Sequence, residues 1–134
     1  MKLRFRAWLK QKQKMDNYID HISWLEDELY CIGDGITYMV LAEDLVLMQS
    51  TGLVDKNGKE IFEGDIVRTT RFLGRADEIG GFYEYEKDYV GVVKVLEWSW
   101  VIDTGSVAVR LWSEIDEPEV LGNIYENPEL LEEK

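Results

Sequence analysis

Hydrophobic and polar positions alternate from the start of the chain. Leu3, Phe5 and Ala7 are apolar, while Lys2, Arg4 and Arg6 between them are charged. A period of two is that of a strand with one buried face, and it predicts a first strand over 2–9. The "QKQK" that follows has no apolar residue and reads as an exposed turn. Residues 16–32, "DNYIDHISWLEDELYCI", admit two readings. Tyr18, Ile22, Leu25 and Leu29 fit a helical stripe, whereas "HISWL" and "LYCI" on either side of "EDE" would make two strands. Periodicity by itself slightly favours the helix.

Beyond the "GDG" turn at 33–35, β-forming stretches follow in close succession: "ITYMVL", "DLVLMQS", "EIF", "DIVRTT", "VGVVKVLEW" and "SVAVRLW". Gly, Asp and Asn separate them. Many short strands without alternating helices predict a small barrel or sandwich and no parallel sheet. If the strand ending in Trp98 continues through Ser99, Trp98 and Trp100 share a face. The least regular stretch is 71–89, "RFLGRADEIGGFYEYEKDY". Its second half alternates Tyr83 and Tyr85 with Glu84 and Glu86, which predicts a projecting hairpin arm. At the end, "ENPELLEEK" has a helix start in Asn127, Pro128 and Glu129, and a short helix there would dock Leu130 and Leu131.

The segment "TGLVDKNGKEIFEGDIV" carries two turn signals. Asn57 and Gly58 suit a tight turn with positive φ, so Leu53 and Ile61 would flank a hairpin. Gly64 turns the chain again, with Asp65 placed to accept local backbone N–H groups before Ile66 and Val67 enter a strand.

Composition bounds the rest. A chain of 134 residues with 46% hydrophobic residues can bury a core as one domain. Its one cysteine, Cys31, forms no internal disulfide and reads as a small buried hydrophobe. The basic N-terminus lacks the apolar block of a signal peptide, and no window approaches the roughly 20 apolar residues that cross a bilayer. A soluble, unexported, cytosolic protein is the expectation. The net charge of −12 opposes passive attraction to nucleic acid. Charge is segregated, however: Lys2, Arg4, Arg6, Lys10, Lys12 and Lys14 all precede the first acid, Asp16.

Catalytic chemistry finds little material. His21 is the only histidine, so any Ser/His/Asp or Cys/His arrangement would run entirely through it. One His and one Cys do not make a zinc site. The acidic runs Glu84, Glu86 and Asp88, and Glu114, Asp116, Glu117 and Glu119, have oxygen ligands for Mg²⁺ or Ca²⁺ but no EF-hand order, and read as solvated surface. They leave a metal-dependent hydrolase as the weakest reading. The glycine pairs lack the lysine and helix start of a phosphate loop. No enzyme activity, metal or cofactor is therefore expected, and binding is. The leading candidate interface is aromatic, Phe82, Tyr83, Tyr85, Tyr89, Trp98 and Trp100, for a protein partner or self-association. The alternative is a nucleic-acid contact by Arg4, Arg6, Trp8, Lys10, Lys12 and Lys14, in which Trp8 stacks on a base.

Three stretches together resemble a known family. "MQSTGLVDKNGKEIFEGDIV" at 48–67 resembles the central motif of the YopX family, proteins encoded by phages and prophages of bacteria. "LRFRAW" resembles its opening strand, and "VLGNIYENPELL" at 120–131 its closing motif. The resemblance spans both ends and the middle of the chain. It implies a mainly β protein: a small SH3-like or related barrel with added hairpins and a short C-terminal helix, in one domain over 1–134 with the arm at 71–89. It favours the hairpin over the helix at 16–32. It also implies a phage or prophage origin and the cytoplasm of a bacterial host. The family has no established activity, so no catalytic residues carry over.

Overall fold

The computed structural model describes residues 4–76, 80–111 and 117–131, and side chains for all of these except 72–76, 82 and 83. The described residues are mainly β, as expected. None of their helices is long and apolar enough to cross a membrane. The chain divides into two compact units, 1–52 and 53–134.

In the first unit, β1 (Phe5–Leu9) lies between β2 (Lys14–Asp16) and the start of β6 (Leu45–Val54). A second sheet has the order β3 (Ile22–Leu25), β4 (Glu28–Ile32), β5 (Val40–Leu41). Ala7, Leu9, Ile32 and Leu45 form the core, with Ile19, Ile22 and Leu29 against it. Residues 16–32 are thus a hairpin, and packing explains why it prevails over the helical stripe. Ile22 pairs with Ile32 across the strands and both reach the core, whereas Tyr18 and Leu25, which the helix would bury, are exposed. Glu26 and Asp27 supply the two positive φ angles, 50° and 69°, of a two-residue loop.

The stretch "ITYMVL" is shorter as a strand than its composition suggests. Asp34 Oδ1 accepts the N–H groups of Ile36 (2.8 Å), Thr37 (2.8 Å) and Tyr38 (3.2 Å), a local turn that outcompetes sheet pairing until Val40.

The second unit is built on a five-stranded antiparallel sheet. Its order is β11 (Ala108–Arg110), β10 (Ser99–Asp103), β9 (Phe82–Leu96), β8 (Asp65–Ala76), β12 (Glu119–Asn123). Val67, Val93, Ile102 and Leu111 pack with Ile61 of β7 (Glu60–Phe62), and Leu53, Trp100 and Val120 lie against them. Strands β8 and β9 pair without a break from Ile66↔Val92 to Ala76↔Phe82. Neighbouring β12 reaches only to Arg68, and β10 only to Val92. Beyond those limits the two strands, among the described residues, form a two-stranded ribbon over the stretch in which an arm was expected.

Between the strands, the turn at 55–59 is organised by one carboxylate. Asp55 Oδ1 accepts the N–H groups of Asn57 and Lys59, both at 2.9 Å, and Oδ2 accepts that of Val120 on β12 at 3.0 Å. Gly58, at φ 82°, closes the turn onto the Asp55 carbonyl. Asp65 plays a similar part at the next turn, where its Oδ2 accepts the Phe62 N–H at 2.8 Å.

Two expectations are corrected. Residues 97–98 do not continue the strand: Leu96 pairs with Ser99, and Glu97 and Trp98 form the two-residue loop between β9 and β10. Trp98 and Trp100 therefore do not share a face. At the C-terminus the expected short helix is present as a 3₁₀ turn, Pro128–Leu131, but Leu130 and Leu131 on it remain exposed and do not dock. Asn127 Oδ1 turns back to accept the Asn123 N–H (3.2 Å).

Candidate binding surfaces

Trp98 is 99% exposed at the tip of the β9–β10 hairpin. Its φ is 67° and that of Glu97 is 49°, both in the left-handed region. Asn and Gly fill such loops at little cost, but a bulky side chain there is strained by about 1 kcal/mol or more. Neither solvation nor backbone preference accounts for a tryptophan at this point. Val95 and Leu96 on the adjoining strand are half exposed, one on each face of the hairpin next to the tip.

The hairpin beneath it is well held. Lys94 Nζ lies 3.0 Å from Asp103 Oδ2 across β9 and β10, and Asp103 Oδ1 accepts the Gly105 N–H at 2.9 Å. These bonds, the Gly105 amide first and then Lys94, lower the Asp103 carboxyl below the usual carboxylate range. The ladder from Asp103↔Val92 to Ser99↔Leu96 sets the position of the tip.

The arm offers a second, mixed surface. Cross-strand pairing of Arg71 with Lys87 and Thr69 with Tyr89 puts these four side chains on one face. Arg71 and Lys87 both lie over the Tyr89 ring, 5.9 Å and 5.3 Å from its centroid, and Arg71 also donates to the Arg110 carbonyl. Tyr85 is exposed further out. Asp88 faces the other way and accepts the Thr70 hydroxyl at 2.6 Å. Phe82 and Tyr83 hold register positions in the ribbon, but their side chains lie outside those described. Trp100 packs against the core of the second unit.

The basic first strand does not present the surface that its alternation implies. Arg6 is 5% exposed and Trp8 7%, because β1 is flanked by strands on both edges and covered on both faces. That removes the stacking tryptophan from a nucleic-acid contact. Arg4, Lys10, Lys12 and Lys14 are exposed, with Lys10 Nζ donating to the Glu43 carbonyl at 3.1 Å. An open groove of about 720 Å³ runs beside Arg4, Phe5 and Tyr18, and a smaller one of about 180 Å³ lies by Asp16, Asp34 and Tyr38.

His21 is exposed and Cys31 is buried and unpaired with another cysteine. Glu84, Glu86 and Asp88 are exposed on the arm, while Glu114 and Asp116 lie outside the described residues. Among the described residues, no three His, Cys, Asp or Glu side chains gather in a way that would hold a metal ion.

What sequence reasoning missed was the position of the exposed aromatics in the first unit. Trp24 and Tyr30 sit on β3 and β4, half exposed beside Leu25. The signal available was the helix-or-hairpin ambiguity itself: a segment whose apolar residues satisfy both periods cannot bury all of them in either.

Comparison with known proteins places the whole described chain. The model of the YopX protein family matches residues 4–132. A crystal structure of protein EF1440 from Enterococcus faecalis is similar over 98% of this chain and 99% of that one, with a TM-score of 0.65 and 24% identity. The X-ray structure of protein yopX from Bacillus subtilis is similar over 97% and 96%, with a TM-score of 0.59 and 22% identity. No curated protein sequence matches. At these identities the structural likeness shows a shared fold.

Proposed function

The chain belongs to the YopX family, and we propose that it is a non-catalytic accessory protein of phage or prophage origin that works by binding another protein. The observation that carries this reading is Trp98: a fully exposed tryptophan in a left-handed loop position that favours glycine. Tryptophan is among the residues that dominate binding at the centres of interfaces. Val95 and Leu96 would form the apolar surround, while Tyr85 and Tyr89 lie on the arm toward the other end of β9 and make a separate candidate surface within the same unit. The acidic body, at −12, disfavours nucleic acid as the partner and favours a protein with basic groups around an apolar socket.

The test separates stability from binding. Trp98→Gly is expected to stabilise the fold by about 1 kcal/mol, because glycine relieves the strained loop position. The same substitution should weaken retention of a partner from bacterial lysate about 10-fold or more, as loss of a central tryptophan does. Thermal unfolding and quantitative affinity capture measure the two effects. Light scattering of the wild-type chain shows whether the partner is a second copy. A Trp98→Gly protein that binds as the wild type does, or a wild-type monomer that captures nothing above background, contradicts the proposal.

A further inference from the structure

The first unit carries an open sheet edge whose chemistry differs from that of the Trp98 tip. In the sheet β3, β4, β5, strand β3 has, among the described residues, a neighbour on one side only. Alternate backbone N–H and C=O groups of an antiparallel edge strand point away from its partner and are available for another strand. Soluble proteins usually guard such edges with lysine, proline or a bulge. Strand β3, "ISWL", has neither lysine nor proline. The sheet's irregularity lies on its partner, because Ser23 pairs with Cys31 and Trp24 with Leu29, which leaves Tyr30 of β4 unmatched. The edge itself runs unbroken. It is also apolar on the outside: Trp24 is 55% exposed, Leu25 62% and Tyr30 48%.

Charge decides what fits there. From Met15 through Asp55 the sequence contains no lysine or arginine. Asp20 precedes the strand, Glu26 and Asp27 follow it, and all three are exposed. A second copy added antiparallel to β3 would set Glu26 and Asp27 of each protomer against the Asp20 end of the other, an arrangement of like charges that is destabilising. An extended segment with lysine or arginine beyond its apolar residues would meet opposite charge at both ends.

We propose that the β3 edge takes up an extended, basic segment of a partner protein as an added strand, with Trp24 and Leu25 covering its apolar side chains. Backbone pairing supplies affinity in this mode, and side chains and flanking charge supply selectivity. The site is independent of the Trp98 surface, so either can fail without the other.

A short peptide alternating lysine and valine is a direct probe, titrated into ¹⁵N-labelled full-length protein and followed by amide chemical shifts. The expected result is saturable change centred on Ile22–Leu25, with affinity falling about 10-fold from low to high salt as screening weakens the charge contacts. The glutamate–valine counterpart should bind at least about 10-fold more weakly. Trp24→Lys, which changes an exposed side chain, should reduce binding of the lysine peptide to a similar degree while leaving the amide spectrum folded. Shifts elsewhere, no shifts, or equal binding of the two peptides overturn the proposal. So does concentration-dependent change at Ile22–Leu25 without peptide, which would make the edge a contact between copies.

Discussion

Asp55→Ala is expected to cost about 3 kcal/mol of folding free energy, as loss of several hydrogen bonds to one buried charged acceptor does. The carboxylate is buried and accepts three backbone N–H groups, two within its own turn and one from Val120 on β12. Alanine leaves those donors without their acceptor and unties the turn at 55–59 from β12. Urea unfolding should show a lower midpoint with an unchanged slope. Asp55→Asn keeps one acceptor oxygen and should fall between the two. Acid titration separates charge from shape. Burial by itself raises the Asp55 carboxyl, but the N–H bonds from Val120, Lys59 and Asn57, with the Lys59 charge, outweigh it and lower it. A carboxyl lowered in the folded state contributes stability that is present above its unfolded value, about 3.9, and is lost as pH falls through the folded one. Asp34 and Asp103 are lowered as well, Asp34 chiefly by the Ile36 N–H and Asp103 by the Gly105 N–H. Wild-type stability should therefore decline as pH drops below about 4, and Asp55→Asn should decline less.

Gly91→Ala is expected to cost about 3 kcal/mol or more, at or beyond the upper end for overpacking, because the obstacle is backbone. A Cβ at this position would lie 2.3 Å from the Asp103 carbonyl oxygen and 2.5 Å from its carbon. A side chain could rotate away, but this carbonyl belongs to a residue fixed by Lys94 and by Gly105. Relief requires β9 and β10 to separate at that end, against the Val93 and Ile102 packing of the core. Val95→Ala, which shortens an exposed side chain on the same strand, should stay within about 0.5 kcal/mol. Comparison of the two by thermal unfolding isolates the close approach from any general sensitivity of β9.

The β class, the hairpin at 53–61 and the turn at Asp65 were legible because each has a local cause. Asn57–Gly58 is a turn by its own backbone preference, and the alternation around Tyr85 is a strand by its own period. What was not legible depended on long-range pairing. Trp98 reads as a strand residue since Glu-Trp is no turn signature; only the pairing of Leu96 with Ser99 puts it in the loop. Arg6 and Trp8 read as surface because alternation reports one covered face and is silent about the second. Asp55 carries no signal of its own in that turn, and its bond to Val120 spans 65 positions that no local pattern connects. The candidate site was therefore half visible. Its residue types were evident, and the placement that distinguishes Trp98 from the core-packed Trp100 was not.

That distinction is also where the functional account is most exposed to test. A photoreactive phenylalanine analogue at position 98, with a second variant carrying it at the exposed Ser106 as control, can be expressed in bacterial cells and irradiated. A discrete covalent adduct to one other protein is expected from position 98 and none from position 106. No adduct from position 98, or the same adducts from both positions, would contradict it.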